Sequence, residues 1–385
     1  ATPSHFVHNL CKRLAMKDDG KFALTHGQAL FVAHFADVLD VIWLEDRDGK
    51  PWRERTVVRM ILLGQGGTGK THVVKNVLLP ALDWAFPPDK TGQAAGDSKT
   101  ILLAFSNAQA NGISTKTHRA LTLHGASKLR IQSLRNQDIR PGNALKDLEA
   151  IWNHKMAAIH EEISMTPATM YNALNVRATW ARKEKCDIDM GMHGNEQVSF
   201  GRLPFYLHLG DFLQLKPPAQ VSLLDDCQAL AATGKNILPE TQSACRMFQD
   251  INIIHELTGT KRFTDEDLPA ILQCMRTQQQ FPVGLWNKLK KRFVHTTKRD
   301  ERLYDPAFLD GTELGIYWDT IARCIGHRAR RDAERAGTAV HFSQARDDVI
   351  PSLHHLPKEQ QQHLYERFLM RAMISGRSCC SHSSK

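Results

Sequence analysis

The chain has 385 residues, of which 42% are hydrophobic and 24% charged. That balance belongs to a globular protein rather than a disordered one and leaves room for two domains of ordinary size, while no run approaches the ~20 uninterrupted apolar residues of a membrane-spanning helix. A net charge of +9 favours a polyanionic partner or marks an ordinary basic protein, and eight scattered cysteines without a CxxC pair argue against zinc and for a reducing compartment.

The chain opens Ala-Thr-Pro-Ser-His, without an initiator Met or a charged-then-apolar leader, and reads as processed or cut from a longer one. Residues 25–44 predict a capped amphipathic helix with Leu30, Phe31, His34, Val38 and Leu39 toward one side. The polar turn Asp46–Arg55 follows. Thr56–Leu63 is β-branched and apolar, a buried strand, and Lys70–Trp84 has helical spacing. A loop, Pro87–Lys99, leads to a second strand at Lys99–Phe105. Met156–Ile159 starts a third, Leu203–Leu209 a fourth, and Ile251–Leu257 a further one. Strands alternating with helices imply an α/β fold with a parallel sheet. The expected units are an N-terminal helical lead (1–55), a first domain (56–245), a second domain (246–370) and a Ser-rich tail (371–385) expected to be disordered.

Between the first strand and its helix lies Gly64-Gln65-Gly66-Gly67-Thr68-Gly69-Lys70-Thr71. The spacing G-x-x-x-x-G-K-[ST] in a strand–loop–helix context is a phosphate-binding loop. Glycines let backbone N–H groups converge on a phosphate, and the helix start adds partial positive charge. Lys70 is placed to reach the β/γ phosphates of ATP and the Thr71 hydroxyl to ligate Mg²⁺. Such a site needs one carboxylate for the metal and one to polarise water. The third strand runs into Glu161 and Glu162, so Glu161 is assigned to the metal and Glu162 to the water; the alternative is a surface acid pair opening the next helix.

With these residues in place, the sequence resembles the Pif-type DNA helicases, superfamily 1 relatives of RecD. Gly64–Thr71 looks like their GxxGTGKT loop, and Leu24-Thr-His-Gly-Gln28 like their Q motif, whose Gln reads adenine. Ser106-Asn107-Ala-Gln-Ala110 and Thr122-Leu-His124-Gly are similar to a segment that touches single-stranded DNA. Glu161-Glu-Ile-Ser-Met165 looks like D-E-I-S-M. Phe200-Gly201 and Leu209-Gly-Asp211-Phe-Leu-Gln214-Leu-Lys-Pro-Pro218 resemble the segment whose Asp and Gln sense the γ-phosphate. Glu256-Leu-Thr-Gly-Thr-Lys-Arg262-Phe resembles a strand whose Arg contacts nucleotide across a cleft.

The resemblance implies a RecA-like domain followed by a partial second one. It implies ATP and Mg²⁺ as cofactors, and single-stranded DNA and DNA junctions as partners, with 5′ to 3′ translocation. An intracellular, monomeric protein of the nucleus or mitochondrion, working in DNA repair, recombination and telomere maintenance, goes with it. Individual residues keep other readings. Gln214 could be a plain loop residue, Arg262 an ion-pair partner of Asp265 or Glu266, His124 a core histidine. The late basic residues, Lys288 to Arg292 and Arg323 to Arg335, track a DNA backbone or form a solvated face. Two departures stand out. Glu161 replaces the family's Asp, and its extra methylene predicts poorer magnesium geometry and reduced activity. No segment matches T-x-H-K-S-Q-G, so the expected product is a chain that binds nucleotide and does not itself separate strands. A DNA-binding module without unwinding, or a P-loop ATPase of another kind, are the competing outcomes.

Overall fold

A computed structural model of the chain describes residues 2–17, 24–90, 96–129, 142–186, 196–290 (219, 235, 250, 252, 260–266 and 278 apart), 331 and 333–337. They divide into two compact units, 1–289 and 290–385, and nearly all described residues lie in the first.

The strands are β1 (Val58–Gly64), β2 (Thr100–Ala104), β3 (Leu121–Thr122), β4 (Ala157–Glu161), β5 (Phe205–Gly210) and β6 (Ile253–Leu257). They form one parallel sheet in the order β3-β2-β4-β5-β1-β6. The helices are α1 (Pro3–Lys17), α2 (His26–Arg47), α3 (Lys70–Val73), α4 (Leu79–Ala85), α5 (Asn107–Ile113), α6 (Leu123–Ser127), α7 (Leu145–Trp152), α8 (Ala168–Ala181), α9 (Lys183–Cys186), α10 (Cys227–Ala232), α11 (Pro239–Gln249), α12 (Asp267–Arg276) and α13 (Val283–Lys290).

Alternate side chains of each strand enter opposite layers, which is why the central strands read as continuous apolar runs. Met60 and Leu62 pack with Phe31, Phe35, Leu39, Val77 and Leu82 under α2 and α4. Ile61 points the other way, into a layer with Leu148, Trp152, Tyr171 and Leu174 of α7 and α8. The α/β parallel architecture is thus the one the strand–helix alternation implied.

α2 begins with a capping box: Thr25 and Gln28 each bond the other's backbone N–H. Its buried stripe is Phe31, Val32, Phe35, Leu39 and Ile42. Leu30 is 54% exposed and His34 is exposed too, so the expected apolar face is rotated: the sheet takes the denser aromatic side. α2 is long and apolar enough to cross a membrane by length and composition alone, but its aromatic stripe is occupied by the core. The helix after the phosphate loop is not uniform. Val74–Leu78 widens into a π-helical turn just ahead of Pro80, whose ring cannot tolerate the carbonyl four residues earlier in regular α geometry.

The boundary expected near residue 246 falls inside the first unit. β6 pairs with β1, Met60 against Ile253 through Gly64 against Leu257, and completes the sheet's edge. A strand followed by helix text reads alike whether it opens a new sheet or extends an old one, since pairing partners leave no local mark. Arg262, most of the late basic stretch and the tail lie outside the described residues.

Candidate nucleotide and nucleic-acid site

Parallel sheets bind ligands beyond the carboxyl ends of their strands. At that edge β1 ends in Gly64, β4 in Glu161 and β5 in Gly210, immediately before Asp211. The expected nucleotide residues therefore converge from three adjacent strands.

Gly67 and Gly69 hold φ of +90° and +85°, a left-handed backbone that glycine adopts without strain. A Cβ on Gly69 would stand 2.5 Å from Gln28 Nε2, so this position is closed to side chains on two grounds. Gln28 is buried and spans the gap from α2 to the loop: Nε2 donates to the Thr68 carbonyl at 2.8 Å, while Oε1 accepts from Thr25 N at 2.9 Å. Gln28, expected as an adenine reader, is thereby tied to the Gly64–Thr71 loop.

Lys70 is buried at the start of α3, and its ammonium donates to the Gly64 carbonyl. Burial lowers its pKa, against the pull of Glu162, Glu161 and Asp211. Thr71 Oγ1 donates to Glu161 Oε1 at 3.1 Å, so the longer glutamate reaches the residue it was expected to share a metal with. Glu161 Oε2 is buried and meets no hydrogen-bond donor among the described residues. Burial, with the neighbouring charge of Glu162, raises the Glu161 pKa. Such an orphaned carboxylate oxygen, next to a threonine hydroxyl, is the donor set a hard divalent cation takes, and Mg²⁺ fits it.

Glu162 sits at φ 54° and ψ 50°, left-handed for a non-glycine residue, at a cost of ~1–3 kcal/mol. The chain turns there into a 3-10 turn, Ile163–Met165, that swings the carboxylate away from the strand axis toward Lys70 and Asp211. The turn is pinned twice. Gly210 leaves room for it, since a Cβ would stand 2.8 Å from Ile163 Cγ2. His160 Nε2 meets Thr166 Oγ1 at 3.0 Å while Nδ1 meets the Tyr206 hydroxyl at 3.1 Å. Burial holds the His160 pKa down to about 3, so the imidazole stays neutral. Burial raises the Glu162 pKa, Lys70 opposes it and Asp211 adds to it; the net direction is upward.

Asp211 is almost fully buried. Leu213 N–H donates to Oδ1 at 3.1 Å, and Gln214 Nε2 donates to Oδ2 at 3.0 Å, which brings the expected sensor pair together. The same Oδ2 accepts from Arg276 at the end of α12, a residue the sequence reading passed over. Burial alone would raise the Asp211 pKa, but the hydrogen bonds from Arg276, Leu213 and Gln214 outweigh it and hold it below its ordinary value.

The expected DNA residues stand at the ends of β2 and β3, on the same edge. Ser106 caps α5 in a box with Gln109, and Thr122 caps α6, accepting from Gly125 N at 3.1 Å. Their hydroxyls are therefore partly committed, while Asn107 is exposed. His124 has a buried Nε2 without a partner among the described residues, and burial lowers its pKa, which favours a neutral ring. In the ladder Ala104 pairs with both Thr122 and Glu161. The DNA-side edge is thus two strands from the metal-side acid, ~10 Å at ordinary strand spacing.

No family model and no curated protein matches this chain in sequence. Solved structures do match. Over 90% of this chain and 61% of the other, the fold is similar to the Pif1 helicase from Candida albicans, at TM-score 0.53 and 16% identity. The chain shares the fold of that Pif1 structure. Bacteroides Pif1 bound to ssDNA matches over 70% of this chain and 49% of that one, at TM-score 0.41 and 17% identity. A Bacteroides Pif1 complex with ADP-AlF3 and ssDNA matches over 86% and 61%, at TM-score 0.42 and 16% identity. The chain spans 49% to 61% of the length of these Pif1 proteins.

Proposed function

We propose that the chain is an ATP-dependent DNA helicase module that couples ATP hydrolysis to movement along single-stranded DNA in the 5′ to 3′ direction. The observation that carries the reading is the convergence of Lys70, the Thr71–Glu161 pair, Glu162 and the Asp211–Gln214 pair on one sheet edge. The DNA-side residues Ser106, Asn107, Thr122 and His124 lie on neighbouring strand ends of that same edge. Gly64 to Gly69 and Lys70 hold the phosphates, and Gln28 keeps the loop in shape. Thr71 and Glu161 hold Mg²⁺, which neutralises phosphate charge when bound. Glu162 takes the proton of the attacking water, Gln214 orients that water, and Arg262 contributes a cation from the later segment. Repair, recombination and telomere work on DNA junctions, in the nucleus or mitochondrion and as a monomer, belong to the same proposal.

A second reading, nucleotide-dependent DNA binding without unwinding, draws support from Glu161 in place of the family's Asp. The test of the nucleotide site is Lys70→Ala, which is expected to abolish ATP hydrolysis. Near-normal turnover in that variant contradicts the assignment. Stimulation of ATP hydrolysis by single-stranded DNA distinguishes the motor module from a binding module, since the chain by itself is expected not to separate strands.

A further inference from the structure

We propose that Arg276 is a nucleotide-state sensor: its guanidinium rests on Asp211 when the phosphate loop is empty and shifts to the terminal phosphate of a bound nucleoside triphosphate. The inference rests on the reading of Gly64–Thr71 as an ATP site.

Arg276 closes α12, and α12 is anchored by Ile271, the buried residue of that helix. The guanidinium is mostly buried, at 15% side-chain exposure, against an Asp211 side chain at 2%. Among the described residues Asp211 is its one ionic partner. Its charge also opposes that of Lys70, which places the two cations on the same side of the cluster. Lys70 thus faces three carboxylates, Glu161, Glu162 and Asp211, and Arg276 faces the last of them.

That arrangement suits an exchange of partners. A triphosphate brings several negative charges to a cluster already rich in carboxylates, so a cation must be released to meet them. Lys70 is built into the loop itself. Arg276 lies on a separate helix, and its planar fork carries five donors, of which one nitrogen binds Asp211. Phosphate oxygens match that fork as well as a carboxylate does. Departure of Arg276 leaves Asp211 Oδ2 to Gln214 alone, so the phosphate state is passed directly to the residue that orients water. A diphosphate, one phosphate shorter, leaves Arg276 on Asp211.

The experiment compares binding of fluorescent ADP and of a fluorescent non-hydrolysable ATP analogue, with Mg²⁺, to the wild-type chain, Arg276→Ala and Arg276→Lys. The expected result is an ADP affinity within about twofold of wild type in both variants. The analogue should bind Arg276→Ala about ten- to a hundredfold more weakly, the worth of one or two charge-assisted hydrogen bonds. Arg276→Lys, which keeps the charge and loses the fork, should fall between. Equal loss of both ligands, or loss of neither, makes the pair a purely structural bridge and overturns the sensor. If Arg276→Ala does not fold, the ratio of the two affinities in Arg276→Lys decides alone, and a ratio unchanged from wild type overturns the sensor. A wild-type chain that binds neither nucleotide removes the ATP reading beneath it, and the sensor with it.

Discussion

At the scale of single residues, the site holds three acids with different duties set by their surroundings. Glu161 pairs with Thr71 and keeps one oxygen unmet, Asp211 is saturated with donors, and Glu162 stands on a strained backbone beside Lys70. Of the three, Glu162 is the proposed base. Its raised pKa fixes the sign of a pH effect: protonation removes the base, so hydrolysis falls as pH drops. The acid limb of kcat should lie above the ordinary glutamate range. Glu162→Gln should retain ATP binding and lose about 10²-fold or more in kcat. A limb at the ordinary glutamate value, or an active Glu162→Gln, assigns the base elsewhere. Most of these residues were legible in the sequence because phosphate chemistry demands fixed local spacing. Gly64–Thr71, Glu161–Glu162 and Asp211–Gln214 each fit within a few positions. Arg276 was not legible, since its partner is 65 residues away and nothing near it in the chain announces the contact. Gln28 was legible as a site residue, but its tie to Thr68 depends on how α2 lies against the loop.

At the scale of elements, the Phe200–Gly201 segment shows what a motif residue does when it carries no chemistry. Gly201 sits at φ +59°, and a Cβ there would stand 2.7 Å from Arg182 Cβ. Its carbonyl accepts from Arg182 Nε at 2.9 Å, and its N–H donates to Thr179 Oγ1 at 3.0 Å. Arg182 is fully buried and also donates to the carbonyls of Trp152 and Lys155, each at 2.8 Å. One cation thereby caps the carboxyl end of α7, where the helix dipole favours it, and ties α8 to β4 and the segment before β5. Removing it takes the donor from the Gly201 and Lys155 carbonyls, at ~1–3 kcal/mol each, while the Trp152 carbonyl keeps the Lys155 N–H at 3.2 Å. Arg182→Ala should therefore lose at least about 2 kcal/mol of stability in urea unfolding. A loss below about 1 kcal/mol means water satisfies those carbonyls instead. The strands themselves were legible to within a few residues, because burial on both faces leaves continuous apolar text. The two-residue β3 was missed as too short to show a period, and β6 was assigned to the wrong domain because pairing is a non-local property.

At the scale of the whole molecule, one sheet edge joins two sets of groups, the proposed nucleotide residues at the ends of β1, β4 and β5 and the proposed DNA residues at the ends of β2 and β3. β4, with Glu161 at its end, pairs with β2 on one side and β5 on the other. That shared strand is the proposed route by which DNA binding at one side would reach the turn at Glu162. The net charge of +9 supplies a phosphate-seeking field. Binding of single-stranded DNA should weaken steeply with salt, by ~0.7 in log affinity per log salt for each phosphate neutralised. The account stands on the coupling between the two sites. Its most direct test is the steady-state rate of ATP hydrolysis by the 385-residue chain, with Mg²⁺ and with or without single-stranded DNA. The account predicts a rate that rises several-fold with DNA, loses that stimulation as salt increases, and disappears in Lys70→Ala. A hydrolysis rate indifferent to DNA at low salt would contradict it.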